Sequence, residues 1–251
     1  MRMFHNAAAL QADHHPHAIR DRVTGKQRHS YLGDAVLGSV DGTVTTFAVV
    51  AGAVGAGFAS IVIVILGVAN LLADGLSMAV SNYLGTKVER EEVEKAKEAE
   101  EHHIEHIPEG ERAEIREIYA QKGFDGELLE QVVDVITSDR HVWVNTMLTE
   151  ELHLQIEQRS PSRAALATFA AFVVVGLVPL LPYLVPMVPV EQTFLVSSVL
   201  TGIGFAFVGV AKGAVLHRRI WRSALETLLT GGVAAAVSFA VGYGLRQAFG
   251  A

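Results

Sequence analysis

What constrains this chain most is the uneven placement of its charge. Residues 87–160 hold 20 of its 27 acidic residues and nine of its 20 basic ones, a net −11. The remainder is +4 and runs through long stretches almost without charge. A wholly soluble globule of 251 residues is excluded by that segregation. Five apolar stretches, approximately 33–56, 58–84, 164–185, 191–213 and 224–247, reach the ~20 residues needed to cross ~30 Å of hydrocarbon as a helix. The fold class predicted is an all-α membrane protein: five transmembrane helices with a cytosolic helical domain inserted between the second and third spans. With no cysteine, disulfide scaffolds and thiolate metal sites are excluded. So acidic an insert is also a poor match for nucleic acid.

The domains expected are a disordered cytosolic tail over 1–30, spans 1–2 over 31–86, the acidic insert over 87–160, and spans 3–5 over 161–251. The tail is rich in histidine (His5, His14, His15, His17, His29) and lacks the apolar core of a signal peptide. His14-His15-Pro16-His17 reads as solvated chain rather than as a metal site. Spans 1 and 2 are joined by Gly55-Ala56-Gly57 as a tight hairpin, and Pro179, Pro182, Pro186 and Pro189 end the third span and turn into the fourth. Lys and Arg fix the orientation. The tail (Arg2, Arg20, Arg22, Lys26, Arg28), the insert and the connection carrying Lys212, Arg218, Arg219 and Arg222 are basic-rich, whereas the connections at 55–57 and 183–190 have no Lys or Arg. By the positive-inside rule the tail and insert are cytosolic and the C-terminus lies outside.

The insert reads as helices. From Thr86 to Ile107 there is neither Gly nor Pro, so the second span should continue as one helix some ~30 Å beyond the membrane. Pro108 and Gly110 break it. Further helices are expected over about 111–122 and 126–137, then from a cap at Ser138 or Asp139 through about 156.

Within the membrane, polar side chains are costly, at roughly 2.5–3.5 kcal/mol for a charge at the bilayer centre. Asp34 and Asp41 are seven apart on the first span, and Asn70, Asp74 and Met78 recur every four residues on the second, so each set shares a face. Joined by a tight turn, the faces can oppose each other and line one path with carboxylates, an amide and a thioether. Oxygen ligands accept any divalent cation, while a thioether favours softer transition metals. The carboxylates must lose protons to bind, so metal and proton can exchange there. Asp34 is near the membrane edge, where capping the first helix accounts for it better than a place in the path. Gly33, Gly38 and Gly42 are read as helix-packing positions.

Most acids of the insert are a solvated helix face. A subset has ligand spacing: Glu100 and His103; Glu111 and Glu114; Met147, Glu150 and Glu151. Each set lies on one helical face, so three helices could converge on one acidic cluster. His102, His106 and His153 read as surface residues, and Trp143 and Tyr119 as core.

These motifs resemble the vacuolar iron transporter family. The resemblance covers about 29–250 and rests on Gly33-Asp34, Ser39-Val40-Asp41-Gly42, Asp74-Gly75-Leu76-Ser77-Met78, and Trp143…Met147…Glu150-Glu151-Leu152. It implies a bacterial member bearing the metal-binding insert: an inner-membrane homodimer with its path at the dimer interface, exchanging Fe²⁺, and also Mn²⁺ or other divalent metals, for protons. It implies no permanently bound cofactor, the metal being substrate and occupying the cytosolic site. By motif position Asp41 and Met78 would be pore residues, and Glu100, Glu111, Glu114, Met147 and Glu151 ligands of the insert. Two departures stand out: His103 takes the place of a glutamate, and Asn70 aligns with a membrane glutamate. Leu148 replaces another carboxylate, for which Glu150 would compensate.

No G-x-x-x-x-G-K-[ST] loop for ATP is present. The alternative from another class is a membrane-anchored di-iron ferroxidase, since Glu100-x-x-His103 and Glu150-x-x-His153 both have the spacing of carboxylate-bridged iron sites. A metal-sensing membrane protein without transport is a third reading.

Overall fold

The computed structural model of the chain describes residues 14–24, 29–185, 188–215 and 219–250, and the regular structure among them is entirely helical. A short α1 (Pro16–Thr24) comes first, in a stretch expected to be tail. Pro16 opens it, a position where the missing N–H costs nothing. His5, Pro186 and Arg218, all named above, lie outside the described residues. Five helices are long and apolar enough to cross a membrane: α2 (Leu32–Gly55), α3 (Ser60–His106), the stretch Pro161–Leu184, and two near the C-terminus. The chain divides into two compact units, one of residues 1–83 and 162–251, the other Leu84–Pro161. Helix α3 contributes to both.

In the first unit, α2 is held by close backbone approach. A Cβ on Gly38 or Gly42 would run into the carbonyls of Thr168 and Phe172 on α7 (Pro161–Gly176), and one on Gly242 would strike the Gly52 carbonyl. Lipid offers helices no hydrophobic reward for associating, so small residues that admit tight packing supply the attraction. Gly33, expected to do the same, faces open space. Gly57, at φ +77°, turns the chain from α2 into α3. Phe47 and Ala51 of α2 pack with Phe205 of α9 (Val190–Val215) and Ala235 of α10 (Ile220–Phe249).

The third span is interrupted rather than ended by its prolines. After Gly176 a 3₁₀ turn (Val178–Leu180) and a short α8 (Leu181–Leu184) carry it on. Pro179 and Pro182 fall in the first positions of these pieces, where a missing amide is tolerated.

In the second unit, α3 runs unbroken to His106 and stops because Ile107, preceding a proline, is pushed off helical backbone (φ −134°, ψ 50°). Pro108 itself opens α4 (Pro108–Gln121), three residues earlier than expected. Next comes α5 (Gly126–Thr137), and Asp139 caps α6 (Arg140–Thr146), its Oδ1 accepting from the amides of His141 at 2.8 Å and Val142 at 3.2 Å. The last helix does not reach 156. It widens to a π turn over Met147–Glu151, and His153 turns off with φ +53°. Ile115, Leu129, Val133, Ile136, Trp143 and Met147 form the core. Arg116 grips Glu130 with two bonds, at 2.7 and 2.9 Å, and Arg112 pairs with Asp134, tying α4 to α5.

Candidate metal sites

In the membrane unit, Asp41 on α2 and Asp74 on α3 are half-buried and close enough for their charges to interact. Asn70 and Met78 share the Asp74 stripe and are also half-buried. The Asn70 side-chain nitrogen is buried with no hydrogen-bond partner, a polar group left unpaired in an apolar setting. Asp34 sits differently. It is 6% exposed, and its Oδ1 accepts from Asn82 Nδ2 at 3.0 Å. The same nitrogen lies 2.6 Å from Thr168 Oγ1, whose hydroxyl bonds the Ala164 carbonyl at 3.0 Å. Asp34 is thus held inside a polar triad spanning α2, α3 and α7, rather than capping a helix end. Asn82 and Thr168 were missed in the sequence, although Asn82 continues the stripe of 70, 74 and 78.

In the other unit, Glu100 and His103 of α3 and Glu111 of α4 bring one ligand atom each within 4.8 Å of the others. Glu100 and Glu111 are only 5% and 2% exposed. His103 Nδ1 is 3.4 Å from Glu111 Oε1. Burial pushes the Glu111 carboxyl up to about 7, with Glu114, Glu100 and Glu151 adding repulsion. Burial likewise raises Glu100, against the opposing pull of His103, and raises Glu151, where Glu114 and Glu100 contribute. Glu114 and Glu151 are exposed but within electrostatic reach of the buried pair. One oxygen of Glu100 and one of Glu111 are buried without a hydrogen-bond partner. Such oxygens need a proton or a cation, and two carboxylates with an imidazole are a donor set that suits first-row divalent metals.

Two further expected ligands are Met147 and Glu150. Met147 is fully buried in the core cluster with Ile115 and Trp143, and Leu148 beside it is 1% exposed. Glu150 is paired with Lys122, Oε2 to Nζ 2.5 Å.

A family model for the VIT family matches residues 32–243, spanning both units. The chain belongs to the VIT family. That is the family of vacuolar iron transporters its motifs resemble. It is 32% identical over 230 residues to the vacuolar iron transporter of Toxoplasma gondii, covering 88% of this chain and 76% of the relative. It is 34% identical to vacuolar iron transporter 1 of Eucalyptus grandis, over 85% and 88% of the two chains. With vacuolar iron transporter 1 of Oryza sativa it shares 32% identity over 96% and 92%. Like them it is a transporter-family chain, and its five apolar helices make it an integral, multi-pass membrane protein.

Within this VIT-family chain the two Glu-x-x-His motifs behave unequally. Glu100 and His103 meet on one helical face beside Glu111. Glu150 is turned to Lys122, and His153 stands beyond the helix on left-handed backbone, so the second motif does not present its pair from one helical face.

Proposed function

We propose that this protein is a secondary transporter that moves Fe²⁺, and with it Mn²⁺ and related divalent metals, out of the cytosol in exchange for protons. The observation that carries this reading is the Asp41–Asp74 pair, two carboxylates within electrostatic reach of each other on successive apolar spans of a VIT-family chain. A carboxylate binds metal only when deprotonated, so a metal entering between Asp41 and Asp74 expels protons, and returning protons release it. Met78 adds a soft ligand and Asn70 an amide oxygen to the same stripe. The relatives' names, all vacuolar iron transporters, support iron as cargo.

The insert serves as a cytosolic collector. Glu100, His103 and Glu111 form its centre, with Glu114 and Glu151 adding charge. With Glu111 near 7, metal capture at neutral pH displaces a proton there too. The distribution of Lys and Arg supports a cytosolic tail and insert and an external C-terminus; a bacterial inner membrane is the setting that the resemblance implies. Two copies enclose the path at their interface.

The test is Fe²⁺ flux into sealed proteoliposomes with and without an imposed pH gradient, with lumenal pH followed at the same time. Metal entry matched by proton exit is expected. Flux indifferent to the gradient and without proton movement removes the exchange mechanism, and no flux at all removes transport.

A further inference from the structure

The last turn of α3 carries a histidine pair that neither the Asp41–Asp74 path nor the Glu100 cluster uses. His102 and His106 are four residues apart, so both project from one side of the helix. Their ring centroids are 4.0 Å apart with the planes tilted by 40°, and both side chains are exposed. His106 Nδ1 is 2.9 Å from the His102 carbonyl oxygen. A carbonyl can only accept, so the His106 ring donates from Nδ1, and in the neutral ring Nε2 keeps its lone pair. Holding one ring nitrogen on a carbonyl is how proteins commonly orient a histidine that binds metal through the other. Glu98 and Glu105 sit one turn before and three residues after His102, lending negative charge to the same end of the helix.

We propose that His102 and His106 form a second divalent-metal site, separate from the Glu100 cluster, in which two imidazole nitrogens chelate a late first-row ion such as Zn²⁺, Ni²⁺ or Cu²⁺. Histidines at i and i+4 on a helix reach a single ion, and imidazole favours these later metals over Mn²⁺ or Mg²⁺. With only two protein ligands and open solvent around it, the site binds more weakly than the buried cluster and exchanges its ion readily. The inference stands whether or not the protein transports iron.

The test is a Zn²⁺ titration of the full-length chain in detergent at about pH 7.5. His5, His14, His15, His17 and His29 are replaced by Gln throughout to silence the tail. In this background Glu111→Gln should weaken the tight ion by roughly 10–100-fold, so that the histidine site is resolved beside it. Adding His102→Gln or His106→Gln should then weaken binding at the histidine site by about tenfold or more and leave the residual affinity of the cluster unchanged, since losing a ligand costs at least what losing an outer partner does. Cu²⁺ bound in the Glu111→Gln protein should show hyperfine coupling to two nitrogens by electron paramagnetic resonance, falling to one in either histidine variant. If both histidine variants bind Zn²⁺ as their parent does, or if Glu111→Gln alone abolishes all binding, the pair is not a separate site. Gln is a good helix former and both positions are exposed, so misfolding does not cloud the result.

Discussion

Asp41 and Asp74 stand in apolar spans with hardly another charge, whereas the insert crowds 20 acidic residues into 74 positions. Yet density is a poor guide to chemistry. In the insert Glu91 pairs with Lys87 at 3.4 Å, Glu94 with Arg90 at 2.9 Å and Glu130 with Arg116 at 2.7 Å, all on solvated surface where such pairs are worth roughly 0–1 kcal/mol. Only Glu100 and Glu111 are buried, each with an oxygen that nothing bonds. In the membrane unit the buried Asp34 is satisfied by Asn82, while Asp41 lies within electrostatic reach of another carboxylate, Asp74. In both units the residues that stand out are carboxylates placed against like charge, and the surrounding acids are background.

If that contrast holds, the largest effect belongs to Asp41. Asp41→Ala should reduce metal flux in proteoliposomes by about 100-fold or more, since a charge-exchanging group within the membrane has no substitute. Metal binding by the insert should be unchanged in the same preparation. Normal flux would dissolve the distinction between a transporting unit and a collecting one.

Next in size is the buried pair of the insert. Glu111→Gln keeps the shape but removes the charge, and metal affinity of the cluster should fall by roughly 10–100-fold. Flux at low metal should drop with it and recover at saturating metal. A flux that saturating metal fails to restore would make the cluster part of the path itself.

The pH dependence sharpens the comparison further. Glu111 titrates near 7 in the folded insert, against an ordinary value of 4.5. Because the folded value is raised, the neutral carboxyl is favoured by folding. Its contribution to stability is therefore fully present below about 4.5 and is lost as pH rises through about 7. Without metal, the insert should become less stable between pH 5 and 8, by up to roughly 3 kcal/mol. Trp143, in the insert core, reports this by fluorescence during urea unfolding. Glu111→Gln should flatten the profile and be the more stable protein at pH 8. A wild-type profile that rises with pH over this interval would contradict the burial that sets the shift.

Much of this was legible in the sequence because the membrane enforces it. Spans of about 20 apolar residues and a stretch free of Gly and Pro from Thr86 to Ile107 left few alternatives, so α3 could be followed unbroken to His106. The ends were less legible. The π turn at Met147–Glu151 and the left-handed His153 depend on how α6 meets the core, which periodicity does not encode. For the same reason spacing alone proposed Glu150 as a ligand, while the fold pairs it with Lys122 across the unit, a contact between residues 28 apart in sequence. The Asp34–Asn82–Thr168 triad was hidden likewise, since its members come from three spans and only the fold joins them.

The smallest effect is expected at Glu150, and it tests the contrast from the other side. Its carboxylate is partly exposed and already neutralised by Lys122 at 2.5 Å, so it resembles the solvated acids more than the buried pair. Glu150→Gln should change the stability of the insert by no more than about 1 kcal/mol. Metal affinity should stay within about twofold, well short of the roughly 10–100-fold expected where a ligand or its support is lost. Lys122→Gln supplies the counter-measurement, because it frees Glu150 without removing it. Should Lys122→Gln raise metal affinity, and Glu150→Gln abolish that gain, the ion pair is holding a ligand in reserve. Glu150 would then have to be counted with Glu100 and Glu111 despite its exposure, and burial would no longer be what separates the working carboxylates from the rest.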